Sequence, residues 1–176
     1  MANPNVFIIT GKQGEGKTTR LKEVVDLIQK SGKTVVGFVA VGSWKAGKRN
    51  AFTILNIQTG ESILLCSDSP TKGWQKEGRF FFNPAAIAMG EKWLGECEAL
   101  QADFAVIDEI GKFELDRKVW HQALQQRLKS SRSKLIITVR ERILDQIVSE
   151  YALLKPGIFP LKMSASAIVE KLGERL

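Results

Sequence analysis

Gly11, Gly16, Lys17 and Thr18 stand at the spacing G-x-x-x-x-G-K-S/T, with Lys12, Gln13, Gly14 and Glu15 between the glycines and Thr19 following. That pattern cradles phosphate when a strand delivers it and a helix leaves it. Both flanks comply, with the apolar run Val6, Phe7, Ile8, Ile9 before it and an amphipathic segment after. The glycines let successive backbone N–H groups face one anion, and the helix N-terminus adds partial positive charge. Lys17 can reach the β- and γ-phosphates, and Thr18 is placed to ligate magnesium. Residues 11–19 are therefore expected to bind a nucleoside triphosphate with Mg²⁺, Lys17 also offsetting charge during the reaction.

A second chemical element lies downstream. Phe104, Ala105, Val106 and Ile107 form an apolar run ending in Asp108 and Glu109, the form of a Walker B element. Asp108 at the strand end can hold magnesium, directly or through its waters. Neighbours on a regular strand point to opposite faces, so Glu109 serves the same site only if the strand ends at Asp108 and the chain turns, for which Gly111 offers a place. Glu109 can then accept a proton from, or orient, the water that attacks the γ-phosphate. The alternative is that both acids pair with Lys112 or Arg117 at the surface. Thr138 either touches the γ-phosphate or attacking water, or is a β-branched residue at ease in a strand. Arg140, just beyond it, is the best placed arginine to neutralise charge on the transferred group, with Arg49, Arg79 and Arg142 as rivals. His121 reads as a surface or capping residue. Trp44 and Trp74 fall in loops where a ring can stack on a base, although aromatic packing is the commoner explanation for all four tryptophans.

These groups need a scaffold, and the patterning supplies one. Residues 17–31 carry Leu21, Val24, Val25 and Ile28 as a helical stripe, stopped by Gly32. Residues 34–39 read as a short strand buried on both faces. Runs 51–57 and 61–66 flank a turn at Thr59 and Gly60, an antiparallel hairpin. Residues 67–78 read as loop and 80–82 as a brief strand. Asn83 and Pro84 open a helix with Ile87, Gly90, Leu94, Cys97 and Leu100 along one face. Strands at 104–107, at 135–139 and around Ile158, with helices at 119–130, 141–150 and 164–172, complete the chain. The alternation implies an α/β fold, a three-layer P-loop NTPase sandwich: a mostly parallel central sheet covered on both faces, in one domain over 1–176, extended by an antiparallel hairpin insert at 41–82. Ligands in such sheets sit beyond the carboxyl ends of the strands, after Thr10, Ile107 and Val139.

The composition excludes little else. At 176 residues, 44% hydrophobic and 26% charged, the chain can bury a full core without staples. Residues 1–5 lack the basic and apolar regions of a signal peptide, and no apolar run approaches a membrane span, so a cytoplasmic protein is expected. Cys66 and Cys97 read as buried thiols, and one His with two Cys makes a structural zinc site improbable. The net charge of +7 favours anionic partners without choosing among them. Basic clusters at Lys45, Lys48 and Arg49 and at Arg127, Lys129, Arg132 and Lys134 lack the interleaved aromatics of a single-strand surface. Nucleic acid is thus a partner that nothing specific indicates.

The residues resemble those of the small nucleoside-triphosphatases first described from thermophiles and related to the vertebrate cancer-related nucleoside-triphosphatase. The resemblance rests on Thr10 to Thr19 and, more selectively, on Val106-Ile107-Asp108-Glu109-Ile110-Gly111-Lys112-Phe113-Glu114-Leu115, where the family has D-E-I-G-K-M-E-L. Gly37-Phe38 and Gly78-Arg79-Phe80, where the family often has G-K-Y, add to it. The chain departs from the family at Val41 to Lys45, at Arg49-Asn50-Ala51-Phe52 for R-x-G-F, and at Thr138-Val139-Arg140-Glu141 for T-V-H-R. The resemblance implies magnesium-dependent hydrolysis of ATP, GTP and other nucleoside triphosphates, by a chain expected to be a monomer. The alternatives are a phosphotransferase using the same cradle on a nucleotide or polynucleotide acceptor bound by the insert, and a binding protein controlled by its nucleotide.

Overall fold

The computed structural model describes residues 6–130 and 132–174; the reading of residues 1–5 lies outside them. The chain runs β1 (Val6–Gly11), α1 (Lys17–Lys30), β2 (Val35–Lys45), β3 (Lys48–Asn56), β4 (Ser62–Ser67), β5 (Gln75–Glu77), β6 (Phe80–Phe82), α2 (Pro84–Ala99), β7 (Phe104–Ile110), α3 (Lys112–Leu115), α4 (His121–Lys129), β8 (Lys134–Arg140), a 3-10 turn (Glu141–Ile143), α5 (Leu144–Glu150), β9 (Gly157–Pro160) and α6 (Ala165–Glu174).

Successive side chains on a strand face opposite sides, and here both sides are apolar. Phe7 and Ile9 of β1 pack with Leu21, Val24 and Ile28 of α1 and Ile168 and Leu172 of α6. Val6 and Ile8 join a second core containing Leu94 of α2, Leu124 of α4 and Ile147 of α5. β7 and β8 divide in the same way, Ala105, Ile107, Leu135 and Ile137 to the second core and Val106 and Ile136 to the first. Burial on both faces is why these strands read as unbroken hydrophobic runs. It also makes the three layers: α1 and α6, the sheet, then α2, α4 and α5.

The sheet has nine strands in the order β5-β6-β4-β3-β2-β7-β8-β1-β9. From β2 to β9 all neighbours are parallel, and from β2 to β5 all are antiparallel. The mostly parallel centre and its antiparallel extension are as expected, but the insert is larger than one hairpin. β2 does not stop at Val39; it runs to Lys45 and turns through Ala46 and Gly47, both at positive φ, into β3. Gly42 and Ser43 hide this in the sequence, and the turn lacks the Asn or Asp that marks such hairpins. β5 arises inside the expected loop 67–78 and pairs with β6. Its three residues Gln75, Lys76 and Glu77 are polar because the strand is an edge. Helix 141–150 begins as a 3-10 turn, and α3 was not expected.

Two glycines are required by close approach. Gly37 has φ +109°, and a Cβ there would stand 2.1 Å from the Val106 carbonyl oxygen. A Cβ at Gly90 would meet the buried Trp120 ring at 2.6 Å, so α2 reaches α4 only through a residue without a side chain.

Candidate active site

The loop from β1 to α1 is shaped by Gly14 and Gly16, at φ 78° and 99°, values that L side chains avoid. Gly16 caps α1 in the left-handed conformation with no side-chain hydrogen bond to the helix. The first-turn N–H groups are therefore not claimed by a capping side chain, as an anion site needs. Glu15 folds back so that its carboxylate accepts the Lys12 N–H at 2.7 Å. Lys17 is only 5% exposed. Its Nζ donates to the Lys12 carbonyl at 2.9 Å and lies 3.8 Å from Glu109 Oε2.

Parallel pairing brings the remaining groups to this loop. Gly11 is in register with Arg140, Ile9 with Thr138, and β7 borders β8 on its other side. Asp108, 1% exposed, accepts three hydrogen bonds: from the Thr18 hydroxyl at 2.8 Å, the Ala40 N–H at 2.9 Å and the Thr138 hydroxyl. Burial pushes the Asp108 carboxyl above its ordinary range; those three donors oppose the shift and the neighbouring Glu109 charge adds to it. A cation at this carboxylate would relieve the desolvation. Hydroxyl and carboxylate oxygens, Thr18 with Asp108, are also the hard donors magnesium takes.

Glu109 reaches the same site although β7 continues to Ile110. The pairing of β7 with β8 shifts between Ile107 and Ile110, and this irregularity takes the place of the chain end expected at Asp108. Glu109 Oε1 accepts from Arg140 Nε at 2.8 Å, and Arg140 also donates to Gln13 Oε1 at 3.1 Å. Neither acid pairs with Lys112 or Arg117. Arg140 is the arginine that bonds Glu109, while Arg49, Arg79 and Arg142 line the same cavity as Arg140. Thr18 and Gln13 are drawn into this network; Thr19 on α1 is exposed and makes no side-chain bond in it.

Two contributors had no assigned role in the sequence. The Ala40 N–H is one, since a backbone donor has no residue signature. Glu114 is the other: 2% exposed, it accepts the Gly111 N–H at 2.7 Å and the Trp120 N–H at 3.1 Å, holding the turn after β7. Burial raises its carboxyl to about 8. Its place in the Asp108-to-Leu115 motif was the only available signal. His121 Nδ1 lies 2.8 Å from the Tyr151 hydroxyl and 3.2 Å from the Glu114 carbonyl oxygen. Trp93 and Trp120 are buried, and exposed Trp44 carries the Arg49 guanidinium 4.4 Å above its ring.

Known proteins are similar to this chain in sequence and in fold. A nucleoside-triphosphatase THEP1 of Pyrococcus abyssi is 30% identical over 145 residues, 80% of this chain and 76% of that protein. The crystal structure of THEP1 from Aquifex aeolicus superposes with a TM-score of 0.66 at 24% identity, covering 95% of this chain and 96% of that one. The solution structure of a human cancer-related nucleoside triphosphatase gives 0.70 at 21% identity, over 99% and 97% of the two chains. The family described as NTPase matches residues 6–160, from β1 through β9 and across both halves of the site. On that match this chain belongs to the NTPase family of nucleoside-triphosphatases.

Proposed function

We propose that this enzyme hydrolyses nucleoside 5′-triphosphates, ATP and GTP among them, to the diphosphate and phosphate with magnesium, acting as a cytoplasmic monomer. The observation that carries the reading is the 2.8 Å bond between Thr18 and Asp108, which joins the phosphate loop to the acidic strand in one centre. Residues 11–19 bind the phosphates. Lys17 neutralises charge on the β- and γ-phosphates. Thr18 and Asp108 would hold magnesium, which when bound supplies further positive charge to the phosphate oxygens.

Glu109 receives the proton of the attacking water or orients that water. Its ion pairs with Lys17 and Arg140 hold the carboxylate beside the loop. Arg140 fixes Glu109 against Gln13 and lends charge at the γ end. Thr138 and the Ala40 N–H aim Asp108. Among the described residues no helix is long and apolar enough to cross a membrane. In the second basic cluster Arg127 is buried and paired with Glu98 and Lys134 donates to the Leu172 carbonyl, while Lys129 and Arg132 are exposed.

The test is Glu109→Gln, assayed by phosphate release and by equilibrium nucleotide binding. Turnover should fall about 10²- to 10⁴-fold with binding largely retained, the scale of a lost general base. Turnover like that of the unmodified enzyme removes Glu109 from this role.

A further inference from the structure

Thr18, Asp108, Glu109 and Arg140 line one end of a cavity of about 640 Å³, whose other end is walled by the antiparallel insert and by the segments after β7 and β8. A cavity of that size can hold small organic ligands, and its insert end adjoins Glu109, which stands at the γ-phosphate on the reading above. Its walls combine two chemistries. Phe52, Phe80, Phe82 and Phe113 supply aromatic surface, Phe52 against Phe80 at 5.7 Å and Phe82 against Phe113 at 5.0 Å between ring centroids.

Arg49, Arg79 and Arg142 supply charge, and among the described residues none of them pairs with a carboxylate. Two are nonetheless held in place. Arg49 donates to the Gly42 carbonyl at 2.6 Å, and Arg79 donates to the Arg49 carbonyl at 2.6 Å with its guanidinium 4.3 Å above the Phe80 ring. Positioned guanidinium groups without an acidic partner, beside aromatic rings, match a ligand carrying a phosphate and a planar ring system. An ordinary hydrolase needs only water at this face.

We propose that this cavity binds a nucleoside monophosphate, which accepts the γ-phosphoryl group from a triphosphate held in the loop. The inference rests on the reading of Lys17, Thr18 and Asp108 as the grip on the donor. An oxygen of the acceptor phosphate dianion forms the new bond to the γ-phosphorus while the bond to the donor's bridging oxygen breaks. The electron pair leaves with the donor diphosphate, a second diphosphate is formed, and no proton is released. Glu109 has no part in this step, so its loss separates transfer from hydrolysis.

The experiment uses the full chain with magnesium and γ-labelled ATP, together with AMP, GMP, CMP or UMP. Label should appear in the matching diphosphate, and Glu109→Gln should raise the ratio of labelled diphosphate to free phosphate. Calorimetry should show monophosphate binding to the unmodified enzyme, weakened roughly 10- to 100-fold in Arg79→Ala/Arg142→Ala, the scale of charge-assisted bonds to phosphate. Absence of monophosphate binding to the unmodified enzyme overturns the proposal, as does binding with label only in free phosphate. Failure of the underlying hydrolase reading shows separately, as no phosphate release from ATP alone.

Discussion

At the tips of β1, β7 and β8 the ionic side chains are matched: Lys17 and Arg140 hold Glu109, and Asp108 takes three donors in a space closed to solvent. Across the cavity, Arg49 of β3, Arg79 of the turn between β5 and β6 and Arg142 of the 3-10 turn after β8 line a partly solvated hollow, and among the described residues none of them forms an ion pair. One region is assembled around phosphate chemistry that any nucleoside triphosphate shares. The other is the acceptor face proposed above. On the proposals above, reaction and selection fall to different parts of the molecule, and the two halves of the sheet are joined through β2, which pairs with β7 on one side and β3 on the other.

The sharpest way to probe that division is Lys17→Ala. Losing a buried cation at the phosphates should lower kcat/KM roughly 10³-fold, on the scale of a lost transition-state donor, and equally for every triphosphate. A loss confined to one base, measured by steady-state phosphate release across four nucleotides, would break the comparison. Next comes the junction itself. Gly37→Ala places a methyl group against the Val106 carbonyl at 2.1 Å, forcing β2 away from β7 at a cost on the order of 3 kcal/mol or more. Denaturant unfolding reads this directly, and unchanged stability would mean the two regions are not locked through that contact.

A smaller effect is expected from Thr138→Val, which keeps the shape but removes a donor from buried Asp108. The magnesium concentration for half-maximal activity should rise about 10-fold, the lower end of the range for partners that support a metal ligand. An unchanged requirement would detach Thr138 from the phosphate centre.

The last test is of pH. Glu114 has its carboxyl raised by burial from 4.5 to about 8, so between those values the folded protein binds a proton that the unfolded chain has released. Stability from this group is full below pH 4.5 and falls as pH rises toward 8. Chemical unfolding across that window should show Glu114→Gln with a shallower pH slope than the unmodified protein. Equal slopes would contradict a buried, protonated Glu114.

Much of the phosphate centre was open to reading from residue order because its geometry is local. The loop's turns need glycine, the strand before it needs apolar residues on both faces, and Lys17 and Thr18 follow at fixed spacing on the same helix. Asp108 and Glu109 were visible as an apolar run with an acidic end. The shift in β-pairing that lets both acids serve one site was not visible, because strand register depends on the neighbour and not on the strand alone. The insert was read least well. Gly42 and Ser43 mask the continuation of β2, and polar Gln75, Lys76 and Glu77 form a strand only because β6 lies beside them.

By itself the sequence determined the phosphate loop, its helix, the buried strands and the acids at the end of β7, since these follow from backbone freedom and hydrophobic periodicity over a few residues. Only the tertiary structure decided which groups meet. Asp108 joins Thr18 across 90 residues, Ala40 across 68 and Thr138 across 30, and Arg140 turns to Glu109 and Gln13. Those encounters are set by the packing of two apolar cores and by strand order. The same packing places four phenylalanines and three arginines around one cavity, an arrangement that no stretch of the chain contains.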